Sequence, residues 1–184
     1  MQLSKAIKQR KSVRSFKDKK ADWRDIIDAI DTVRFAPMAG NNFTLKFILV
    51  DDKEKIKKLA SCCQQDFIAK ASHVVVVCSN PKRPVNAYEE RGNRYVKQQA
   101  GAAIQNFLLS LEERGLSTCW IGHFVDRMIK EELKIPKNIE IEALFPIGIE
   151  FKKAARRKKT ELDNILYFNK FKNKKMKEDK KWNM

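Results

Sequence analysis

Ala36-Pro37-Met38-Ala39-Gly40-Asn41 separates the first long helical pattern of the chain from its first apolar strand, and the reading of the fold turns on it. Upstream, Asp22 supplies an N-cap, and Trp23, Ile26, Ile27, Ile30 and Val33 recur with helical spacing. Pro37 lacks a backbone donor and Gly40-Asn41 is a good turn pair, so the helix stops before residue 37. Downstream, Lys46-Phe47-Ile48-Leu49-Val50 reads as a strand. Nearer the start, Arg10-Lys11-Ser12-Val13-Arg14 sets three cations in five residues, a compact anion-binding cluster. It follows a short helix, Leu3 to Gln9, with Leu3, Ala6 and Ile7 on one face.

Working outward, residues 53–70 are predicted helical with Ile56, Leu59 and Phe67 inward. Val74 to Cys78 is a continuous apolar strand with both faces covered. Asn80 to Pro84 reads as a loop. A long helix then runs from about Tyr95 to Arg114, ended by Gly115 at C′. Its Ala100-Gly101-Ala102-Ala103 stretch permits close approach of another helix. Ser117 to Phe124 is expected as a third strand and 126–134 as a short helix ending before Pro136. Ile141 to Phe151 is expected as a fourth strand broken by Pro146 and Gly148, and Leu162 to Phe168 has helical apolar spacing. Strands alternate with helices of unequal length and no repeat, which is an α/β-type or α+β domain.

With 184 residues and 43% hydrophobic content, one domain with a real core is expected. No run approaches the roughly 20 apolar residues of a membrane span, and the N-terminus has no signal-peptide core, so a soluble, cytoplasmic protein is the expectation. Cys62, Cys63, Cys78 and Cys119 show no C-x-x-C spacing and there are 2 histidines, so no metal site is expected. Cys78 and Cys119 read as buried thiols. Cys62-Cys63 read as helix positions, with a redox pair as the alternative.

The net charge is +16, and residues 152–184 hold 13 Lys/Arg against 4 Asp/Glu, a net of +9 that leaves +7 for the rest. This segment reads as a solvated, partly disordered basic tail. Binding to nucleic acid or anionic lipid is the alternative, although only Trp182 interleaves an aromatic among its cations near the end. The chain has neither G-x-G-x-x-G after a strand nor G-x-x-x-x-G-K-[ST]. A phosphorylated cofactor would therefore be gripped by side-chain cations: Arg10, Arg14 and the run Arg156-Arg157-Lys158-Lys159.

From about Lys5 to Asn169 the chain resembles the nitroreductase family. Arg10-Lys11-Ser12-Val13-Arg14-Ser15-Phe16 is similar to the family's R-R-S-x-R-x-F, and Ala36 to Asn41 to its A-P-S-A-G-N. Glu90-Arg91-Gly92, Gln98-Gln99 and Gly101 to Leu109 resemble its central helix. Gly115-Leu116-Ser117-Thr118-Cys119-Trp120-Ile121-Gly122 resembles G-L-G-T-C-W-I-G, and Phe145-Pro146-Ile147-Gly148 resembles V-P-I-G. Each motif is weak alone; five in the family's order are specific. The departures are Met38 for Ser, Phe43-Thr44-Leu45 for Q-P-W, Gln99 for Asp, and His123 for Gly or Ala.

The resemblance implies an α+β, three-layer fold with a mixed central sheet flanked by helices, in an intertwined homodimer. It implies an FMN-binding domain over 1–169 and a basic tail over 170–184. The implied activity is that of an FMN-dependent oxidoreductase, passing a hydride from NAD(P)H through flavin N5 to a nitroaromatic, quinone or other small acceptor by ping-pong turnover. The flavin carries the chemistry, so no side chain is assigned as catalytic. Arg10, within the cluster that includes Lys11, matches the phosphate positions together with Arg157 and Lys159. Ser12 and Arg14 match positions beside the ribityl chain and the pyrimidine edge. Pro37, Met38, Ala39 and Asn41 match residues that reach the partner's flavin. Gln64 matches an amide near the pyrimidine ring, with Gln65 one residue away as the alternative. Trp120, Ile121, Gly122 and His123 match the stretch whose backbone faces N5 and O4. As residues alone, Arg157 and Lys159 read as a solvated run, Trp120 as core, and His123 as a hydrogen-bonded group. The functional alternatives are a flavin-binding protein without turnover and a basic nucleic-acid-associated protein.

Overall fold

Val74, Val76 and Cys78 face one apolar core while Val75 and Val77 face another, so the strand that carries them is covered on both sides. The computed structural model describes residues 1–153 and 158–176. Its chain divides into two compact units, Met1–Ala154 and Ala155–Met184.

The larger unit is built on four strands, β1 (Leu45–Val50), β2 (His73–Ser79), β3 (Ser117–Thr118) and β4 (Glu140–Gly148), in the order β1-β2-β4-β3. Against one face lie α2 (Trp23–Asp31) and α5 (Glu90–Glu113), with Ile26, Ala29, Ile104, Phe107 and Leu111 meeting Val75, Val77, Ala143 and Phe145. Against the other lie α3 (Lys53–Cys63) and α6 (Asp126–Leu133), with Ile56, Leu59, Cys63 and Ile129 meeting Val74, Val76 and Leu144. Burying each side chain of this size contributes roughly 1.5–3 kcal/mol, and the period of two along β2 divides that gain between both faces. The architecture is therefore α+β in three layers.

The expected mixed sheet is antiparallel in all three ladders; the described parallel pairing is an isolated bridge, Ser12 to Thr118. For β1 and β2 the reason lies in the connection. The chain leaves β1 at Val50 and re-enters the sheet opposite it at Val74, so α3 is an excursion that returns to the same end, not a crossover.

Asp22 caps α2 by accepting from Arg24 N, and Asp52 caps α3 through Glu54 N and Lys55 N. The helix expected over 53–70 divides at Gln64 (φ 54), with a separate 3-10 turn at Asp66–Lys70. The expected loop at 80–84 instead starts helix α4 (Lys82–Tyr88), whose first turn accommodates Pro84. A Cβ on Gly92 would fall 2.4 Å from the Pro84 carbonyl, so glycine there lets α4 abut α5, which begins earlier than expected. At the far end of α5, Gly115 (φ 71) donates to Glu112 O and Leu116 donates to Leu111 O, a Schellman ending. Within the small-residue stretch, Ala100 and Ala103 are buried in the core, whereas a Cβ on Gly101 would meet nothing within 4 Å. Helix α1 (Leu3–Gln9) buries only Ala6.

Two strand expectations need correction. β3 stops at Thr118, and only Ile121 pairs again, exchanging both backbone bonds with Leu144 at 3.0 Å. β4 passes unbroken through Pro146. Ile147 accepts from Ser72 on the β2 side, so the backbone of Pro146 points the other way, toward β3. There it has no N–H to offer, and its carbonyl accepts the Thr118 hydroxyl at 2.8 Å. One proline thus accounts for the gap in β3 while leaving β4 whole.

In the second unit the expected helical stretch is a single 3-10 turn, Leu162–Asn164. Tyr167 packs on Phe171 with centroids 4.7 Å apart, Lys174 lies over the Tyr167 ring, and Phe168 and Asn173 exchange backbone and side-chain bonds. Among the described residues no helix is long and apolar enough to cross a membrane, and no cluster of His, Cys, Asp or Glu is arranged to hold a metal.

Candidate active site

The N-terminal cations reach the β3 edge of the sheet because their segment pairs with it. Ser12 bridges Thr118, Val13 N–H donates to Thr118 O at 2.9 Å, and Lys17 N–H donates to Ile149 O at 2.8 Å. Val13 and Phe16 turn inward onto Ala71 and Phe67, which leaves Ser12, Arg14 and Ser15 exposed. Arg10 caps the C-terminus of α1 and is half-buried. Among the described residues neither Arg10 nor Arg14 has an ion-pair or side-chain hydrogen-bond partner. Lys11 differs: its ammonium lies 2.9 Å from Glu150, which offsets its charge within the chain. Two uncompensated guanidiniums remain, each with fork geometry suited to phosphate.

The Trp120–His123 stretch occupies the same edge. Trp120 sits in the gap left by Pro146, 42% exposed, with its ring edge-on to Phe145 at 5.5 Å. It is neither a fully buried core residue nor a free one. Ile121 is buried, while Gly122 and His123 are exposed, and a Cβ on Gly122 would meet nothing within 4 Å. Val125 N–H donates to Cys62 O at 2.9 Å, which ties this loop to the end of α3, where Gln64 is exposed and Gln65 half-buried. The fold therefore gathers the 10–14 cluster, Gln64 and 120–123 at one edge.

Pro37, Met38, Ala39 and Asn41 lie elsewhere. The turn Ala39–Asn41, with Gly40 at φ 57 and Asn41 at φ 55, precedes β1 and packs beside Tyr88 and Tyr95. Leu45 pairs with Ser79 at one end of the sheet; Thr118 pairs with Ile147, which pairs with His73 at the other end. The turn and the cation cluster thus sit at opposite edges and opposite ends of one sheet. Four strand spacings, the last between β3 and the Ser12 segment, put them about 19 Å apart across it, and six residues put them about 20 Å apart along it. A single chain does not bring them to one ligand.

Arg157 lies outside the described residues. Lys159 belongs to the second unit, where it is exposed. All four cysteines are buried and free. Burial pushes the Cys63 thiol up to about 12 and Cys78 up to about 11, and raises Cys62 as well, which removes the thiolate a redox pair would need. Two contributors escaped sequence reasoning. Glu150, which neutralises Lys11, is remote in sequence and carries no local signal. Gln99 stood out only as a departure from the family pattern, yet it accepts from Thr44 N at 2.9 Å and donates to Asn42 O at 3.0 Å, holding the backbone that leaves the 39–41 turn.

A model of the nitroreductase family matches residues 7–65 and 60–149. The chain belongs to the nitroreductase family. It is 32% identical over 149 residues to an Archaeoglobus fulgidus protein named "Putative NADH dehydrogenase/NAD(P)H nitroreductase", covering 78% of this chain and 83% of that one. It is 25% identical to the FMN reductase (NADPH) of Bacillus subtilis, over 70% of this chain and 58% of the other. Among solved structures, the FMN-dependent nitroreductase from Clostridium difficile R20291 superposes with a TM-score of 0.78 at 26% identity, covering 90% of this chain and 98% of that one.

Proposed function

We propose that this protein is an FMN-dependent NAD(P)H oxidoreductase working as a homodimer, with a small electron acceptor and the nicotinamide taking turns in one cleft. The observation that carries the reading is the pair of guanidiniums, Arg10 and Arg14, without a partner among the described residues, on the segment that bridges Thr118, four residues before the open backbone of Gly122. These residues fit a phosphorylated cofactor: the cations supply charge-assisted donors, and the open side of Gly122 lets a flat ring approach the main chain. Family membership and the names of the A. fulgidus and B. subtilis relatives support the same assignment.

In this reading Arg10 holds the phosphate. Lys11, fixed by Glu150, orients the segment. Ser12 contacts the sugar chain, and Arg14 holds a fixed positive charge at the pyrimidine edge, with Gln64 nearby. The backbone of Trp120, Ile121, Gly122 and His123 lies along the other edge and offers N–H donors. FMN, when bound, supplies the atom that accepts and returns the hydride. A guanidinium in a pocket closed to water stabilises negative charge better than one in bulk solvent.

The diagonal separation of the two motifs supports a dimeric site: Pro37, Met38, Ala39 and Asn41 of a second copy complete what Arg10 to Arg14 begin. Purified protein is expected to be yellow, and anaerobic addition of NADPH or NADH should bleach it. Colourless protein that takes up no FMN would overturn the cofactor reading; a yellow protein that neither nucleotide bleaches would overturn turnover.

A further inference from the structure

A second cationic cleft lies apart from the Arg10–Arg14 cluster. It encloses about 490 Å³ between the 16–20 segment, the first turns of α3 and the chain entering β2. That volume is within the range of small-molecule sites, about 300–1,000 Å³, and exceeds what a single phosphate requires. Its walls carry Lys17, Lys19, Lys20, Lys53, Lys57 and Lys70 against only Asp18 and Asp51.

Two of these ammoniums are already engaged. Lys20 lies 3.4 Å from Asp51, and Lys57 lies 2.7 Å from Glu54. Lys17, Lys19, Lys53 and Lys70 have no carboxylate partner among the described residues. The three walls converge, so these four exposed side chains line one concavity, where charges of one sign add to a common field. Like charges so placed repel, and an anion within the cleft relieves the repulsion. The amides at the start of α3 do not provide the attraction, because Asp52 already accepts from Glu54 N and Lys55 N. The lysine side chains do.

We propose that this cleft binds a compact polyphosphate group, with a triphosphate the best match to four uncompensated ammonium groups. Lysine suits this ligand, because each head offers three donors on a flexible stem and can follow a chain of phosphates without fixed bidentate geometry. The inference does not depend on flavin binding, since neither Arg10 nor Arg14 lines the cleft.

The test is calorimetric titration of the full-length protein with sodium tripolyphosphate at about 150 mM salt, near physiological screening. Three variants are compared with the unaltered chain: Lys19→Glu/Lys53→Glu/Lys70→Glu in the cleft, Lys8→Glu/Lys134→Glu/Lys137→Glu outside it, and Arg10→Ala/Arg14→Ala. The cleft variant should lose at least about tenfold in affinity, whereas the outside variant, with the same change in net charge, should lose no more than about twofold. The arginine variant should bind as the unaltered chain does. If the cleft variant does not fold, the same three lysines are changed to Gln and must show the same loss. Displacement of tripolyphosphate by NADPH or ATP would identify a nucleotide as the carrier, and failure of both to displace it would identify free polyphosphate. No binding by the unaltered chain, equal losses in the two lysine variants, or a loss confined to the arginine variant would each overturn the assignment.

Discussion

The Thr44 hydroxyl donates to Gln99 Oε1 at 2.6 Å, deep between α5 and the start of β1. The same oxygen accepts from Thr44 N at 2.9 Å, and Gln99 Nε2 donates to Asn42 O at 3.0 Å. One amide, 4% exposed, therefore ties three groups of the turn exit to the central helix. An amide suits the task because it accepts and donates at once. Gln99→Ala should destabilise the fold by about 1–3 kcal/mol, because buried polar groups lose their partners. Gln99→Glu should cost more, since its second oxygen would face the Asn42 carbonyl. Urea unfolding monitored by circular dichroism checks both, and an unchanged midpoint in Gln99→Ala would refute the clamp.

Arg10→Ala should weaken FMN binding tenfold to a hundredfold while leaving the melting temperature nearly unchanged. The lost charge-assisted bond is worth about 1.5–3 kcal/mol, and no described ion pair or side-chain hydrogen bond of Arg10 is lost with it. Fluorescence titration of the apoprotein measures the first quantity and a thermal melt the second.

Because the two motifs lie at opposite corners of the sheet, defects in them should complement between subunits. Arg10→Ala chains mixed with Asn41→Leu chains should form mixed dimers with one intact site each. Flavin content of the isolated mixed dimer is the readout, compared with either parent. Content no higher than the poorer parent, or a stable monomer by sedimentation at micromolar concentration, would place the site within one chain.

His73 is fully buried, with Nδ1 3.0 Å from the Ser72 hydroxyl and Nε2 without a partner among the described residues. Burial, reinforced by Lys20 and opposed by Asp51, holds its pKa below the ordinary value of 6.5. The neutral ring is thus favoured in the folded state. Its contribution to stability is complete above about pH 6.5 and is lost as the pH falls through the lowered pKa. Melting temperatures from pH 7.5 to 5 should fall, and His73→Leu should flatten that slope. An identical slope in the variant would exclude His73 as the source.

The sequence alone sufficed for the helix Leu3–Gln9, the start of α2 after Asp22, the strand through Val74 to Cys78, and the ending of α5 at Gly115, because caps, periodicity and glycine chemistry act over a few residues; the helix expected to continue through Val33 instead gives way to a 3-10 turn at Thr32–Phe35. It also marked the cations Arg10 and Arg14, whose charge is legible locally, whereas the 120–123 stretch was marked only by its resemblance to the family. Tertiary pairing decided the rest. Pro146 interrupts β3 and not its own strand, since alternation turns its missing N–H toward that neighbour. β1 and β2 pair antiparallel because α3 returns the chain to the end it left. Glu150 neutralises Lys11 across 139 residues of chain, and Gln99 meets Thr44 across 55. Such partners are selected by packing between distant segments, so their side chains carry no local signature of the contact they make.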